Sequence, residues 1–221
     1  MSTGPLGWRR SSHEPPAKRL WILIAPGVTS HGMTQPPASG RGTETAVRLR
    51  PLVEDDLAMF RRFATEPGLI GLDWAGFRDA QAPARRYATD GYLGPDDGRL
   101  MVEVHPDAEA AGFVSWQAGS YGGAGKHWAV GIALLPQWRG RGIGWRAQAM
   151  LCDYLFEHTP VQRIEAGTHP ENIAEQKALE KAGFQREGVI RAAEFRAGRW
   201  RDGYLYSRLR SDPAPNPSAC G

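Results

Sequence analysis

Gly131-Ile132-Ala133-Leu134-Leu135-Pro136-Gln137-Trp138-Arg139-Gly140-Arg141-Gly142-Ile143-Gly144 is the stretch that decides how this 221-residue chain folds. An apolar run stops at a proline, glycines recur at alternate positions, and a helical pattern then begins. Ala147, Met150, Leu151, Tyr154 and Leu155 mark one face of that helix, which ends by Pro160. A strand therefore feeds a helix through a tight turn. Alternate glycines let the backbone take positive φ and approach a ligand closely. Their N–H groups converge on a helix N-terminus, which attracts phosphate. Arg139 and Arg141 add cationic donors suited to phosphate oxygens. The plain alternative is a merely tight strand–helix connection.

Two familiar phosphate loops do not fit. A P-loop needs Gly-Lys followed by Ser or Thr, which the chain lacks. The dinucleotide fingerprint is closer, with Glu165 at about the ribose-binding distance. Its third glycine, however, belongs one residue later, where Trp145 stands. Its first glycine also follows the strand directly, whereas Pro136–Arg139 intervene in this chain.

Upstream of the turn, Val47–Leu52 alternates as a strand. Glu54, Asp55 and Asp56 load acids onto a helix N-terminus, and Leu57, Phe60 and Phe63 follow at helical spacing. A second helix is expected over Pro83–Thr89. Leu100–Val104, Gly112–Gln117 and His127–Leu135 read as an antiparallel meander, with Trp128–Leu135 a central strand buried on both faces. Downstream, Arg163–Ala166 is expected to run parallel to that strand, closing a strand–turn–helix–strand crossover. A helix over Ile173–Ala182 ends with Gly183 at C′ and Phe184 as its apolar contact. Arg186–Glu194 and Trp200–Leu209 form a hairpin around Arg196-Ala197-Gly198.

Composition bounds the rest. The net charge of +3 lies in the first 45 residues, which hold five Lys/Arg against two Glu; residues 46–221 hold 22 of each sign. With no basic stripe interleaved with aromatics, a nucleic-acid partner is not expected. Residues 1–45 are Pro-, Gly- and Ser-rich and are expected to be a disordered basic tail. Leu20–Ala25 is too short to span a bilayer, so no membrane partner is expected, and Pro26 breaks it as a secretory core. Met33 is a candidate natural start, which would make residues 1–32 upstream read-through; the sequence leaves both readings open. Cys152 and Cys220 have no neighbours at metal-ligand or redox spacing, which suits a reduced, cytoplasmic protein without a metal. A core of about 160 residues buries roughly 70% of its unfolded surface and needs no staple.

The quoted run resembles the acyl-CoA signature of the GNAT acetyltransferases, whose Gln/Arg-x-x-Gly-x-Gly/Ala core corresponds to Arg139, Gly142 and Gly144. Asn172–Phe184 is similar to the Asn-x-x-Ser…Leu-x-Lys-x-Gly-Phe segment of the RimJ/RimL-type subgroup, which acetylates protein N-termini and small amines. Gly198–Tyr206 resembles that subgroup too. The likeness covers about residues 46–210 and makes them the acetyltransferase domain, with 211–221 a flexible C-terminal tail.

The resemblance implies an α/β (α+β) fold: a mixed, mostly antiparallel sheet of six to seven strands with a splayed central pair, flanked by about four helices. Acetyl-CoA would lie in the splay as co-substrate, its pyrophosphate on Arg139, Gly140, Arg141, Gly142, Ile143 and Gly144. Its pantetheine arm would pair with backbone at Leu134 and Leu135 and meet Asn172. An N–H near Leu134 would polarise the thioester carbonyl, and the amine would attack directly in a ternary complex.

The catalytic set departs from the family pattern. Where relatives often carry a glutamate before the Ile-Gly of the central strand, this chain has Ala129. Where some carry a serine as proton donor, it has Glu175, which is the catalytic candidate. Asn172 and Glu175 also fit a capping box at a helix start. Glu103, His127 and Tyr206 are further titratable candidates, with structural readings for His127 and Tyr206. Leu72–Trp74 and Tyr92-Leu93 are expected to line the acceptor pocket. Neutralising an α-amine at pH 7 costs about 1.4 kcal/mol against about 4.6 for a lysine amine. A site without the glutamate therefore suits a protein N-terminus or a small low-pKa amine. A non-catalytic acyl-CoA-binding or regulatory module is the alternative. Oligomeric state is not legible in the chain.

Overall fold

The computed structural model describes residues 46–74 and 76–215. The expectations for residues 1–45, Met33 included, and for Cys220 lie outside the described residues. A single seven-stranded sheet runs in the order β1-β2-β3-β4-β5-β7-β6. Its strands are β1 (Val47–Arg50), β2 (Asp97–Val104), β3 (Glu109–Tyr121), β4 (Gly125–Leu134), β5 (Arg163–Thr168), β6 (Gln185–Arg196) and β7 (Arg199–Leu209). Every pairing is antiparallel except β4 with β5. The helices are α1 (Leu57–Thr65), α2 (Pro67–Ile70), α3 (Ala82–Asp90), α4 (Ile143–His158) and α5 (Ile173–Lys181). The expected mixed sheet and crossover are present.

The two faces of the sheet follow from strand alternation. Leu100, Val102, Val114, Trp116, Trp128, Val130 and Ile164 pack with Ile143, Leu151 and Leu155 of α4 and Leu179 of α5 in the larger core. The opposite parity, Met101, Phe113 and Leu135, packs with Phe60 and Phe63 of α1, Leu69 of α2 and Tyr92 in a smaller one. The helix that opens on the glycine turn thus covers one face, and α1–α3 cover part of the other.

Most boundaries lie outward of the sequence reading, because ladder hydrogen bonds continue into residues with no apolar signal. β3 extends to Tyr121 through Ala118, Gly119 and Ser120, which pair with Trp128, His127 and Lys126. The short α2 has no periodic signal. The end of α5 matches expectation closely. Gly183 has φ +88 and donates to Glu180 O at 3.1 Å, while Phe184 donates to Leu179 O at 3.0 Å, both bonds of a Schellman motif.

One expectation needs correction. Trp128 and Val130 are buried, but Gly131, Ile132, Ala133 and Leu134 are only half-buried, so the central strand is not covered on both faces along its length. The physical reason is that its second neighbour leaves it. β4 pairs with β5 only at Trp128↔Ile164, Ala129↔Glu165 and Val130↔Ala166, then the two strands part. On its other side β4 stays paired with β3 as far as Gly112↔Leu134.

Candidate functional site

α4 starts at the point where this gap opens. Gly142 is its N-cap, at φ +73 and ψ +5, a left-handed conformation that disfavours L side chains. No side chain caps the helix. The first N–H groups of an α-helix have no intrahelical partner, and the dipole adds partial positive charge there. This end of the helix is thus built for an anion. Gly144 sits against β4: a Cβ there would stand 3.7 Å from Leu134 Cδ1. Arg141 lies exposed over the Trp138 ring at 5.0 Å and Arg146 over Trp145 at 4.9 Å, which rings the mouth with cations on aromatic supports.

Arg139 behaves otherwise. Its Nε donates to Leu134 O at 2.9 Å and its Nη2 donates to Leu69 O of α2. The side chain expected on phosphate instead ties the loop to β4 and α2. Leu135 is likewise committed, since its N–H donates to Ala111 O at 2.9 Å in the β3 ladder. It cannot offer that N–H to a pantetheine arm. Successive amides of a strand point to opposite edges. With Leu135 N–H and Gly131 O both turned towards β3, the latter 3.5 Å from Ser115 Oγ, the N–H groups of Ile132 and Leu134 face the gap. The Leu134 N–H is therefore on the open edge of β4.

β5 and α5 form the other lip. Asn172 is the N-cap of α5, its Oδ1 accepting from Glu175 N at 3.2 Å. Its own N–H donates to His169 O at 3.0 Å, so one bond of the capping box is made and the reciprocal position is filled by the turn. Glu175 stands half-buried in the first turn of α5. Gln176 Nε2 donates to His169 O and Pro170 O, fixing the segment between β5 and α5. His169 is buried, with Nδ1 3.2 Å from Glu194 Oε1.

The remaining titratable candidates divide cleanly. Glu103 is buried and paired with Arg50 at 2.8 Å, alongside Asp56, which is 2.7 Å from the same guanidinium. The bond to Asp56 is the main cause that raises the Arg50 pKa. Tyr206 is core, its hydroxyl 3.3 Å from Glu180, with burial pushing its pKa up. Tyr92, expected to line a pocket, is 1% exposed within the smaller core. His127 stacks on Tyr121 at 4.7 Å and lies 3.4 Å from Glu165.

Glu165 is a residue that sequence reasoning weighs only for a ribose and sets aside. The ladder places it directly opposite Ala129, on the same face. It accepts from Arg163 Nε at 2.6 Å and Tyr121 Oη at 2.7 Å, so its carboxylate is already engaged. No local sequence signal pairs residues 129 and 165; only the register does. Among the described residues no group of three or more His, Cys, Asp or Glu is placed to hold a metal, and no helix is long and apolar enough to cross a membrane.

Comparison with known proteins gives a concordant picture. A family model described as "Acetyltransferase (GNAT) domain" matches residues 46–185. The probable N-acetyltransferase YjcK of Bacillus subtilis is 36% identical over 83 residues, 38% of this chain and 46% of that protein. The uncharacterized N-acetyltransferase p20 of Bacillus licheniformis is 39% identical over 85 residues, 38% of this chain and 48% of that protein. The chain spans about half the length of the curated relatives it matches. Among solved structures, spermidine N-acetyltransferase from Vibrio cholerae in complex with CoA and spermine superposes with a TM-score of 0.66 at 20% identity, over 75% of this chain and 96% of that one. RimJ of Mycobacterium smegmatis in complex with CoA-disulfide gives 0.60 at 25% identity, over 75% and 82%. A ribosomal-protein-S5-alanine acetyltransferase from Vibrio fischeri gives 0.62 at 20% identity, over 81% and 100%.

Proposed function

Because the chain belongs to the GNAT acetyltransferase family, we propose that it is an N-acetyltransferase moving an acetyl group from acetyl-CoA to a primary amine. The acceptor is a protein N-terminal α-amine or a small-molecule amine, attacking directly while both substrates are bound. The observation that carries this reading is the end of the β4–β5 ladder at Val130 and Ala166, beside the uncapped N-terminus of α4.

Each lip of the gap has a task. The N–H groups of Gly140–Trp145 receive the pyrophosphate, with Arg141 adding charge from its seat on Trp138. Arg139 holds the turn in place through Leu134 O and Leu69 O. The pantetheine arm pairs with the open edge of β4, and Asn172 meets it from the other lip. Leu134 N–H polarises the thioester carbonyl; a preorganised donor of this kind is worth about 10²–10³ in kcat.

The amine approaches from the face opposite α4. There Ala129, Gly131 and Ala133 are half-buried and present little or no side chain, leaving a floor over β4 next to Ser115. An α-amine supplies its own neutral form for about 1.4 kcal/mol at pH 7, so the alanine at position 129 is tolerable. The nitrogen gives up its proton to water as the C–N bond forms and the C–S bond breaks, and the departing thiolate collects one from water on the side of Glu175. Solved structures with this fold include an enzyme named for a ribosomal-protein alanine and another for spermidine, one from each of the two proposed acceptor classes.

A passive acyl-CoA-binding module is the second reading. It is favoured by Ala129 and by the engagement of Glu165 with Arg163 and Tyr121. Calorimetry with acetyl-CoA tests what the two readings share, and CoA release across an amine panel separates them. Absence of acetyl-CoA binding sinks both; binding without amine-dependent release leaves only the passive module.

A further inference from the structure

Arg99 lies on β2, 4% exposed, on the face of the sheet that carries α1. Its guanidinium carbon stands 4.4 Å from the ring centre of Phe113, 4.9 Å from Phe60 and 5.3 Å from Tyr92. Its Nε is sealed from solvent without a hydrogen-bond partner. Ring faces attract a cation, but they do not satisfy five N–H donors. A buried charge lacking a hydrogen-bonded counter-ion is costly, and burial drives the Arg99 pKa well below its ordinary value. The charges acting on it are two more guanidiniums, Arg78 and Arg86, against Asp97 and the Tyr92 phenol. Asp97 is shared with Arg86, 3.6 Å away, which also holds Asp90 at 2.6 Å. Positive charge is in local excess.

Register places this charge beside the proposed acceptor floor. Arg99 pairs with Ser115, and Ser115 pairs with Gly131, the first residue of β4 beyond the end of the β5 ladder. Two strand spacings separate the Arg99 backbone from the Gly131 backbone, about 10 Å. The guanidinium leans towards Phe113 on the intervening strand.

We infer that Arg99 is a specificity residue that binds an anionic group of the acceptor. The acceptor is then an amine bearing a carboxylate about 5–10 Å, one to two strand spacings, from the reacting nitrogen. An acidic side chain in the first two residues of a peptide and the carboxylate of an ω-amino acid both meet this description. The inference rests on reading this face as the acceptor side.

The test uses the full chain and two matched acceptor pairs: peptides with Glu or Gln at the second position, and ω-amino acids with their amides. The charged member of at least one pair is expected to show a kcat/KM at least about tenfold higher, carried by KM, the gain of one charge-assisted contact. Which pair responds tells the peptide source from the small-molecule source. Arg99→Met is expected to abolish the preference while leaving the KM for acetyl-CoA unchanged. Should that variant fail to fold, glutarate supplies an independent measurement on the unaltered protein. It should bind by calorimetry and compete with the acceptor, and glutaramide should not. The inference is overturned if both pairs are turned over alike, if Arg99→Met keeps the preference, or if glutarate neither binds nor competes. Failure of acetyl transfer itself would show instead as no CoA release with any amine, charged or neutral, and glutarate binding needs no turnover.

Discussion

The two halves of β4 are one strand with two occupations. From Trp128 to Val130 it is hydrogen-bonded to β3 on one edge and β5 on the other, and Trp128 and Val130 sit in the larger core. From Gly131 to Leu134 it keeps β3 but loses β5, and every residue is half-buried. The first half spends its backbone on the fold; the second leaves N–H groups of Ile132 and Leu134 for something else. A central strand with one unsatisfied edge is stable only if its other edge and one face are held. The β3 ladder and the α4 core supply that support. An unpaired stretch inside a sheet is therefore informative when the pairing on both sides of it is intact.

The largest expected effect breaks the comparison at its paired end. Trp128 is 8% exposed and its Nε1 donates to Thr159 Oγ1 at 3.0 Å, tying β4 to the end of α4. Trp128→Ala should cost about 3–5 kcal/mol of stability. Ile132→Ala, in the open half, should cost under about 2 kcal/mol, because less of that side chain is buried. Chemical denaturation of both variants checks this. Equal losses would mean that the second half is as structural as the first.

Next comes the helix that opens beside the gap. Gly142→Val forces a β-branched residue to φ +73 and puts a Cβ 2.7 Å from Arg146 Nη1. The strain, about 1–2 kcal/mol, is borne by the turn that aims the amides. Acetyl-CoA affinity should fall at least about 100-fold, equal to about 2.7 kcal/mol, with the far-ultraviolet spectrum unchanged. Unaltered affinity by calorimetry would move the donor site away from α4.

These two halves are not equally legible. The proposed donor side reads from local sequence, since glycines at 140, 142 and 144 declare a turn wherever they occur. So does the α5 terminus, where Asn172 caps and Gly183 with Phe184 closes the helix. The role of the Arg139 side chain escapes such a reading because sequence cannot show that Leu69 O lies within its reach. That the Leu135 N–H is taken by Ala111 O escapes it for a similar reason: strand parity decides which edge that N–H faces. The proposed acceptor side is nearly silent. Arg99, Ser115, Gly131 and Glu165 come from four strands, and nothing short of the register aligns them.

A smaller effect concerns the wall beyond the gap, where β5, β7 and β6 must stay rigid while β4 and β5 part. Arg163 bridges Glu165 at 2.6 Å to Glu187, whose carboxyl it holds down to about 2, with Ser207 Oγ donating at 2.7 Å. A depressed carboxyl pKa adds stability above the unfolded value near 4.5 and loses it as pH falls towards 2. The thermal midpoint should therefore drop between pH 5 and pH 2, and Glu187→Gln should flatten that slope. Glu187 is partly exposed, so the shift should be modest and should shrink in high salt. An unchanged slope in the variant would assign the acid sensitivity to other carboxylates.

The smallest effect is expected at Glu175, for a chemical reason. A thiol titrates near 8.5, so a thiolate leaving at pH 7 to 8 collects a proton from water without a strong acid. Acidic side chains are favourable in the first turn of a helix, so Glu175 at the start of α5 also has a plain structural use. Glu175→Gln should lower kcat by no more than about tenfold, the low end of general-acid contributions, and should leave the KM for acetyl-CoA unchanged. Glu175→Ala should behave alike, because the cap bond from Glu175 N to Asn172 Oδ1 uses the backbone of residue 175. Asn172→Ala should do more, removing both the cap and the proposed contact from the far lip, with an increase in the KM for acetyl-CoA. A loss at Glu175→Gln much beyond tenfold, with the thermal midpoint held, would reverse this order. It would make the first turn of α5, rather than the open half of β4, the seat of the chemistry.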